Sequence, residues 1–347
     1  MSKNFLCVFM KDLTEGMGNN RLEYIDVAKG ISILLVVMGH VVAMCYEDFL
    51  QNKLLLSTKG ILFWNFIYSF HMPLFMMVSG YVAFNPIKSY LLKDIFKRVV
   101  QYIIPFIVVG TILFLFNDGE DICNYWYLRT LSIFVLGMFL IGKLTKLFFK
   151  NKDITNYLQP LFFVVLFYCA VKFIPRSGIL DFIIDADHLQ LFIYFAIGWL
   201  MRQKNVILKL CTSDMVFVVA MIFMFIEVVF QYSIHYITAI SGAFIVLKIS
   251  LLIQNSHLSK KLVACGQYTL EIYLFHFFFL YKASFLGEYF STIEDVPSAF
   301  FLPFAYSLLV SSMIVYACVC IAKIVRRVDV LSFVLLGKLN IFIKKRV

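Results

Sequence analysis

Residues 26–46 read DVAKGISILLVVMGHVVAMCY, an aspartate and a lysine followed by an apolar run that carries one histidine, His40. A helix rises about 1.5 Å per residue and a hydrocarbon core is roughly 30 Å thick, so a run of this length has the dimensions of a membrane span. His40 lies eleven positions beyond Lys29. At about 100° per residue the two return to nearly the same helix face, roughly 16 Å apart along the axis. One face therefore joins an aqueous boundary to the middle of a bilayer.

The same pattern continues outward along the chain. With 62% apolar residues and only 15% charged among 347, and a mean hydropathy of +0.87, the solvent for most of this chain is lipid. The expectation is an all-α integral membrane protein, a bundle of about ten transmembrane helices at 30–46, 61–84, 99–116, 127–149, 158–174, 188–201, 215–231, 234–253, 268–285 and 299–324. Lysine and arginine fix its orientation, because they gather in cytoplasmic loops. Bases cluster at Lys88 to Arg98, Lys143 to Lys152, Arg202 to Lys209, Lys260 and Lys261, and from Lys323 onward, whereas acids cluster at Glu47 and Asp48, at Asp118 to Asp121, at Asp181 to Asp187 and at Glu288 to Asp295. Alternate loops sort cleanly when both termini are cytoplasmic. The net charge of +10 is then a topology signal and calls for no nucleic-acid partner.

No repeat or Pro/Gly-rich linker divides the chain, which reads as one domain over 1–347: a lead-in at 1–27, a helical bundle at 28–324 and a basic tail at 325–347. The lead-in lacks the pattern of a cleaved signal peptide. Eight scattered cysteines show no metal-ligand spacing, and no metal is expected. Cys45 and Cys123 both fall near the outer face, but nothing in their spacing assigns them chemistry.

Ionisable groups inside a membrane face a cavity or a partner and are functional candidates. Counting from the boundaries places His40, His71 and His276 at similar depth on three helices, which suggests a polar chamber; the alternative is that each is satisfied separately by its own helix. His71 lies in Phe70-His71-Met72-Pro73, where Pro73 removes one backbone hydrogen bond and favours a bend. Lys248 and Glu271 fall at comparable depth on consecutive helices and are expected to pair. Glu227 has no sequence-evident partner. Lys93, Lys97 and Arg98 form a basic cluster on the side of Lys29, suited to a polyanionic ligand or explained by topology alone.

The segment Arg21-Leu-Glu-Tyr-Ile-Asp26-Val-Ala-Lys29-Gly-Ile, followed by Val37-Met38-Gly39-His40, resembles the opening of the type 3 acyltransferase family of integral membrane proteins, whose hallmark is a basic residue, ten residues and a histidine. Further landmarks occur in the same order: Phe70-His71-Met72-Pro73-Leu74-Phe75 with Ser79-Gly80-Tyr81, Lys97-Arg98 with Pro105, Tyr125-Trp126-Tyr127-Leu128-Arg129, and Gly266 to His276. The resemblance implies a stand-alone membrane O-acyltransferase that moves acetyl from acetyl-coenzyme A to a hydroxyl of a surface-glycan sugar or lipid-linked precursor, in a bacterial cytoplasmic membrane. It also implies roles. His40 would be the catalytic base, with Asp26 orienting Lys29; Lys29, Lys97 and Arg98 would hold the phosphates of coenzyme A; His71, Trp126, Arg129 and His276 would line the acceptor site, Trp126 and Arg129 at an outer entrance. Direct transfer and an acyl-imidazole on His40 both remain open. The rival from another class is a transporter or flippase of a lipid-linked sugar, its route lined by the histidines and Glu227.

Overall fold

In a computed structural model the described residues are 22–51, 62–83, 92–116, 125–149, 152–173, 186–230 and 235–338. The lead-in before Leu22, Cys123 and the end of the tail lie outside them, as do the side chains of Lys93 and Glu227. All regular structure among the described residues is helical. The helices are α1 (Glu23–Gln51), α2 (Leu62–Ala83), α3 (Leu92–Phe116), α4 (Trp126–Phe148), α5 (Lys152–Phe173), α6 (Ala186–Leu189), α7 (Phe192–Gln203), α8 (Asn205–Cys211), α9 (Asp214–Phe230), α10 (His235–Ile253), α11 (His257–Gln267), α12 (Thr269–Phe275), α13 (Ser284–Ser291), α14 (Val296–Arg327) and α15 (Asp329–Leu336).

Six of them are long and apolar enough to cross a membrane: α1, α2, α3, α4, α10 and α14. A seventh span forms if α11 and the segment from Thr269 to Phe279, bent 66° from each other, count as one. The expected sixth span is the 12-residue α7, and the expected ninth breaks up. There α12 tightens into a 3-10 turn at His276–Phe279, and Leu280 then turns extended. Shorter apolar stretches, Leu158–Phe173 and Asp214–Ile226, occupy α5 and α9.

Close helix approach is built on glycine, since lipid-solvated helices associate through packing and a missing Cβ lets backbones touch. Gly30 of α1 lies against the Leu262 carbonyl of α11, and Gly266 of α11 lies against the Asp26 carbonyl of α1. The contact is reciprocal. Gly80 and Gly198 clasp α2 to α7 in the same way, each against the other helix's backbone. Ends are satisfied too: Ser256 caps α11 by accepting from the Ser259 amide, and Asp295 caps α14 by accepting from Ser298. Glu23 ties α1 to the start of α11, accepting from the Asn255 amide at 3.1 Å and the Ser259 hydroxyl at 2.9 Å.

The expected Lys248–Glu271 pair does not form. Lys248 Nζ lies 2.7 Å from Asp214 at the start of α9, and Glu271 is taken by Arg326 and Lys338. Glu271 lies in the first turn of α12, beside the end of α14 that carries Arg326.

Candidate active site

The three histidines converge. His40 on α1 and His276 have ring centroids 5.3 Å apart, Phe277 packs on His40 at 4.9 Å, and His71 on α2 lies near enough to interact electrostatically with His40. His71 Nδ1 is 2.9 Å from the Ile67 carbonyl and His276 Nδ1 is 3.1 Å from the Ile272 carbonyl. A carbonyl only accepts, so both Nδ1 atoms carry the proton and both Nε2 atoms are acceptors. His276 Nε2 has no hydrogen-bond partner among the described residues. Access differs as well: His71 and His276 are buried, whereas His40 is half-buried. Of the three, His40 is the most exposed ring.

A cavity of about 360 Å³ lies next to this cluster, lined by none of the three histidines but by Tyr273, which contacts His276. One end is charged, lined by Lys29, Glu271, Arg326 and Lys338 with Gln101 and Gln267; the other is aromatic, lined by Phe75, Tyr102, Tyr127 and Tyr273. Tyr127 stacks on Phe75 at 4.5 Å and meets Tyr273 at 5.3 Å, and its hydroxyl hydrogen-bonds Ser79. Tyr273 in turn lies 5.9 Å from His276. The tyrosines thus connect the charged end to the histidines, one turn of helix at a time.

Lys29 sits where the sequence places it, with Nζ 3.4 Å from the carboxylate of buried Asp26. Lys97 and Arg98 lie one turn before Gln101 and Tyr102 and do not line the cavity; Arg98 points a guanidinium N–H at the Val82 carbonyl, 3.5 Å away. At the start of α4 the Tyr125 hydroxyl donates to the Leu274 carbonyl at 2.5 Å. Trp126, the first residue of α4, is stacked on His188 with centroids 3.8 Å apart and planes 10° from parallel. Arg129 follows, half-buried, on the same helix. The residues missed from sequence are Tyr127, Tyr273, Arg326 and Lys338. Tyr273 was legible at one turn from His276, while Arg326 and Lys338 were hidden in a basic end that topology already explained.

A family model described as an acyltransferase domain matches residues 22–323. The nodulation protein NolL of Sinorhizobium fredii is 32% identical over 144 residues, covering 36% of this chain and 37% of that protein. NolL of Mesorhizobium japonicum is 36% identical over 102 residues, covering 27% of this chain and 24% of that protein. The match thus spans between a quarter and two fifths of the length of these relatives. No solved structure matches. A family match over nearly the whole bundle, with long apolar helices throughout, identifies the chain as a multi-pass membrane protein that belongs to the type 3 acyltransferase family.

Proposed function

We propose that this acyltransferase moves acetyl from acetyl-coenzyme A to a hydroxyl of a surface-glycan sugar or its lipid-linked precursor, with His40 as the base. The chain then forms about ten membrane crossings with both termini cytoplasmic, in a bacterial cytoplasmic membrane, and its charged cavity end meets the donor on the side where coenzyme A is made. The supporting observation is a cavity that holds both Lys29 and Tyr273, whose ring contacts His276, which in turn packs against His40. A carrier would need no such acyl-transfer landmarks, and the family match weighs against one.

The chemistry follows from the reactants. A thioester carbonyl is reactive but a sugar hydroxyl is a weak nucleophile at neutral pH, so a positioned base is required. His40 takes the hydroxyl proton as the oxygen attacks the carbonyl carbon; the new C–O bond forms, the C–S bond breaks, and the proton passes to the departing thiolate of coenzyme A. His276 and His71, with fixed tautomers, hold the imidazole surface against which His40 sits. Asp26 keeps the Lys29 ammonium at the cavity rim, where it meets a phosphate.

Lys29 supplies a direct test. Initial rates against acetyl-coenzyme A should show the donor KM raised about 10-fold in Lys29→Ala and largely restored in Lys29→Arg, since a charge-assisted hydrogen bond is worth roughly 1.5–3 kcal/mol. An unchanged donor KM in Lys29→Ala removes this lysine from donor binding. The acceptor is tested by mass analysis of surface glycans from cells with and without the gene. An acetyl mass difference is expected, and its absence counts against a glycan acceptor.

A further inference from the structure

Glu271 opens α12 with a side chain only 2% exposed, and one of its oxygens accepts two charged donors: Arg326 Nε at 2.7 Å and Lys338 Nζ at 2.9 Å. Pairing is what makes such a buried carboxylate tolerable. Two cations exceed what neutrality needs. They also arrive from separate elements, Arg326 from the end of α14 and Lys338 from beyond α15.

Both cations are held in place by other contacts. Arg326 Nη2 donates to the Gln267 carbonyl at 2.8 Å, and its guanidinium lies over the Tyr268 ring at 3.9 Å. Lys338 is delivered by a turn: α15 packs along α3, and Gly337, at φ +63°, presses against the backbone of Val100 and Gln101 where no side chain fits. A guanidinium carries five N–H donors and an ammonium three. Each therefore has donors beyond those given to Glu271 and Gln267, and each lines the cavity with Lys29. Lys29, Arg326 and Lys338 against Asp26 and Glu271 leave that end with one net positive charge.

We propose that Arg326 and Lys338, held by Glu271, form with Lys29 a three-cation cradle for the phosphates of the acyl donor, so that residues 326–338 are part of the donor site. This rests on the donor being acyl-coenzyme A, as read above. Lys97 and Arg98 do not line the cavity, although Arg98 reaches the carbonyl of Val82 at its wall.

The test uses the full chain in phosphatidylcholine nanodiscs, which add no anionic headgroup. Coenzyme A is titrated calorimetrically into the unmodified protein, Lys338→Ala and Lys338→Arg, and initial rates are measured with acetyl-coenzyme A and with phosphate-free S-acetylpantetheine. Lys338→Ala should weaken coenzyme A about 10-fold, raise the donor KM with little change in kcat, and flatten the dependence of binding on salt. Lys338→Arg should restore binding, and the KM for S-acetylpantetheine should not move. If the unmodified protein and Lys338→Ala bind coenzyme A equally, the cradle is wrong while the donor assignment stands. An equal rise in KM for S-acetylpantetheine also overturns it, because the loss then comes from a distorted cavity. Failure of the unmodified protein to bind coenzyme A at any ionic strength overturns the donor assignment and the cradle together.

Discussion

His40→Ala should lower acetyl transfer by about 10²- to 10⁴-fold, the range a positioned base contributes, while the protein still inserts and elutes as the unmodified chain does. The expectation rests on two properties of the ring. It is the least buried member of the histidine cluster, and it stands on the face of α1 that Lys29 begins. The measurement is acetyl-coenzyme A consumption that depends on acceptor, compared at saturating donor. Activity retained in His40→Ala would remove the ring from the chemistry. Chemical quench and mass spectrometry on the unmodified protein separate the two routes: an acetyl adduct on His40 that forms without acceptor and disappears when acceptor is added shows the acyl-imidazole path.

Gly30→Ala should be strongly destabilising. Its Cβ would overlap the Leu262 carbonyl of α11, and backbone cannot step aside as a side-chain end does. Overpacking typically costs about 1–3 kcal/mol, with backbone collisions at the upper end or beyond. The readout is thermal unfolding in detergent followed by size-exclusion chromatography. Gly39→Ala is the control, because its Cβ would sit at ordinary distance, 3.4 Å, from Ile67 and Tyr68 side chains. A Gly30→Ala protein that melts with the unmodified chain would show that α1 and α11 are less tightly joined than the structure has them.

How much of this was legible in the sequence varies by element. The long helices were, because apolar runs of membrane length leave few alternatives, and α1, α2, α4 and α10 begin and end within a few residues of expectation except where α1 extends past the apolar run at both ends. Convergence of His40, His71 and His276 was also legible, since depth counted from a charged boundary is a usable ruler. The break around Tyr268 was not: no proline marks it, and it depends on the Gly266 contact with α1 and on the Tyr125 hydroxyl that takes the Leu274 carbonyl. Glu271 lies just past that break, and its partners come from α14 and from beyond α15.

The stack of Phe75, Tyr127 and Tyr273 has a bearing on the cell's energy supply. A protein that receives one reactant from each side of a membrane is in danger of becoming a pore, and a steady leak of protons through it would drain the gradient that drives transport and ATP synthesis. These three rings, buried and in mutual contact, form the aromatic end of the cavity, and Tyr273 is the one that touches His276. On the proposed path the side chains that meet the donor arm are therefore also the ones that leave little room for water between the charged end and the histidines.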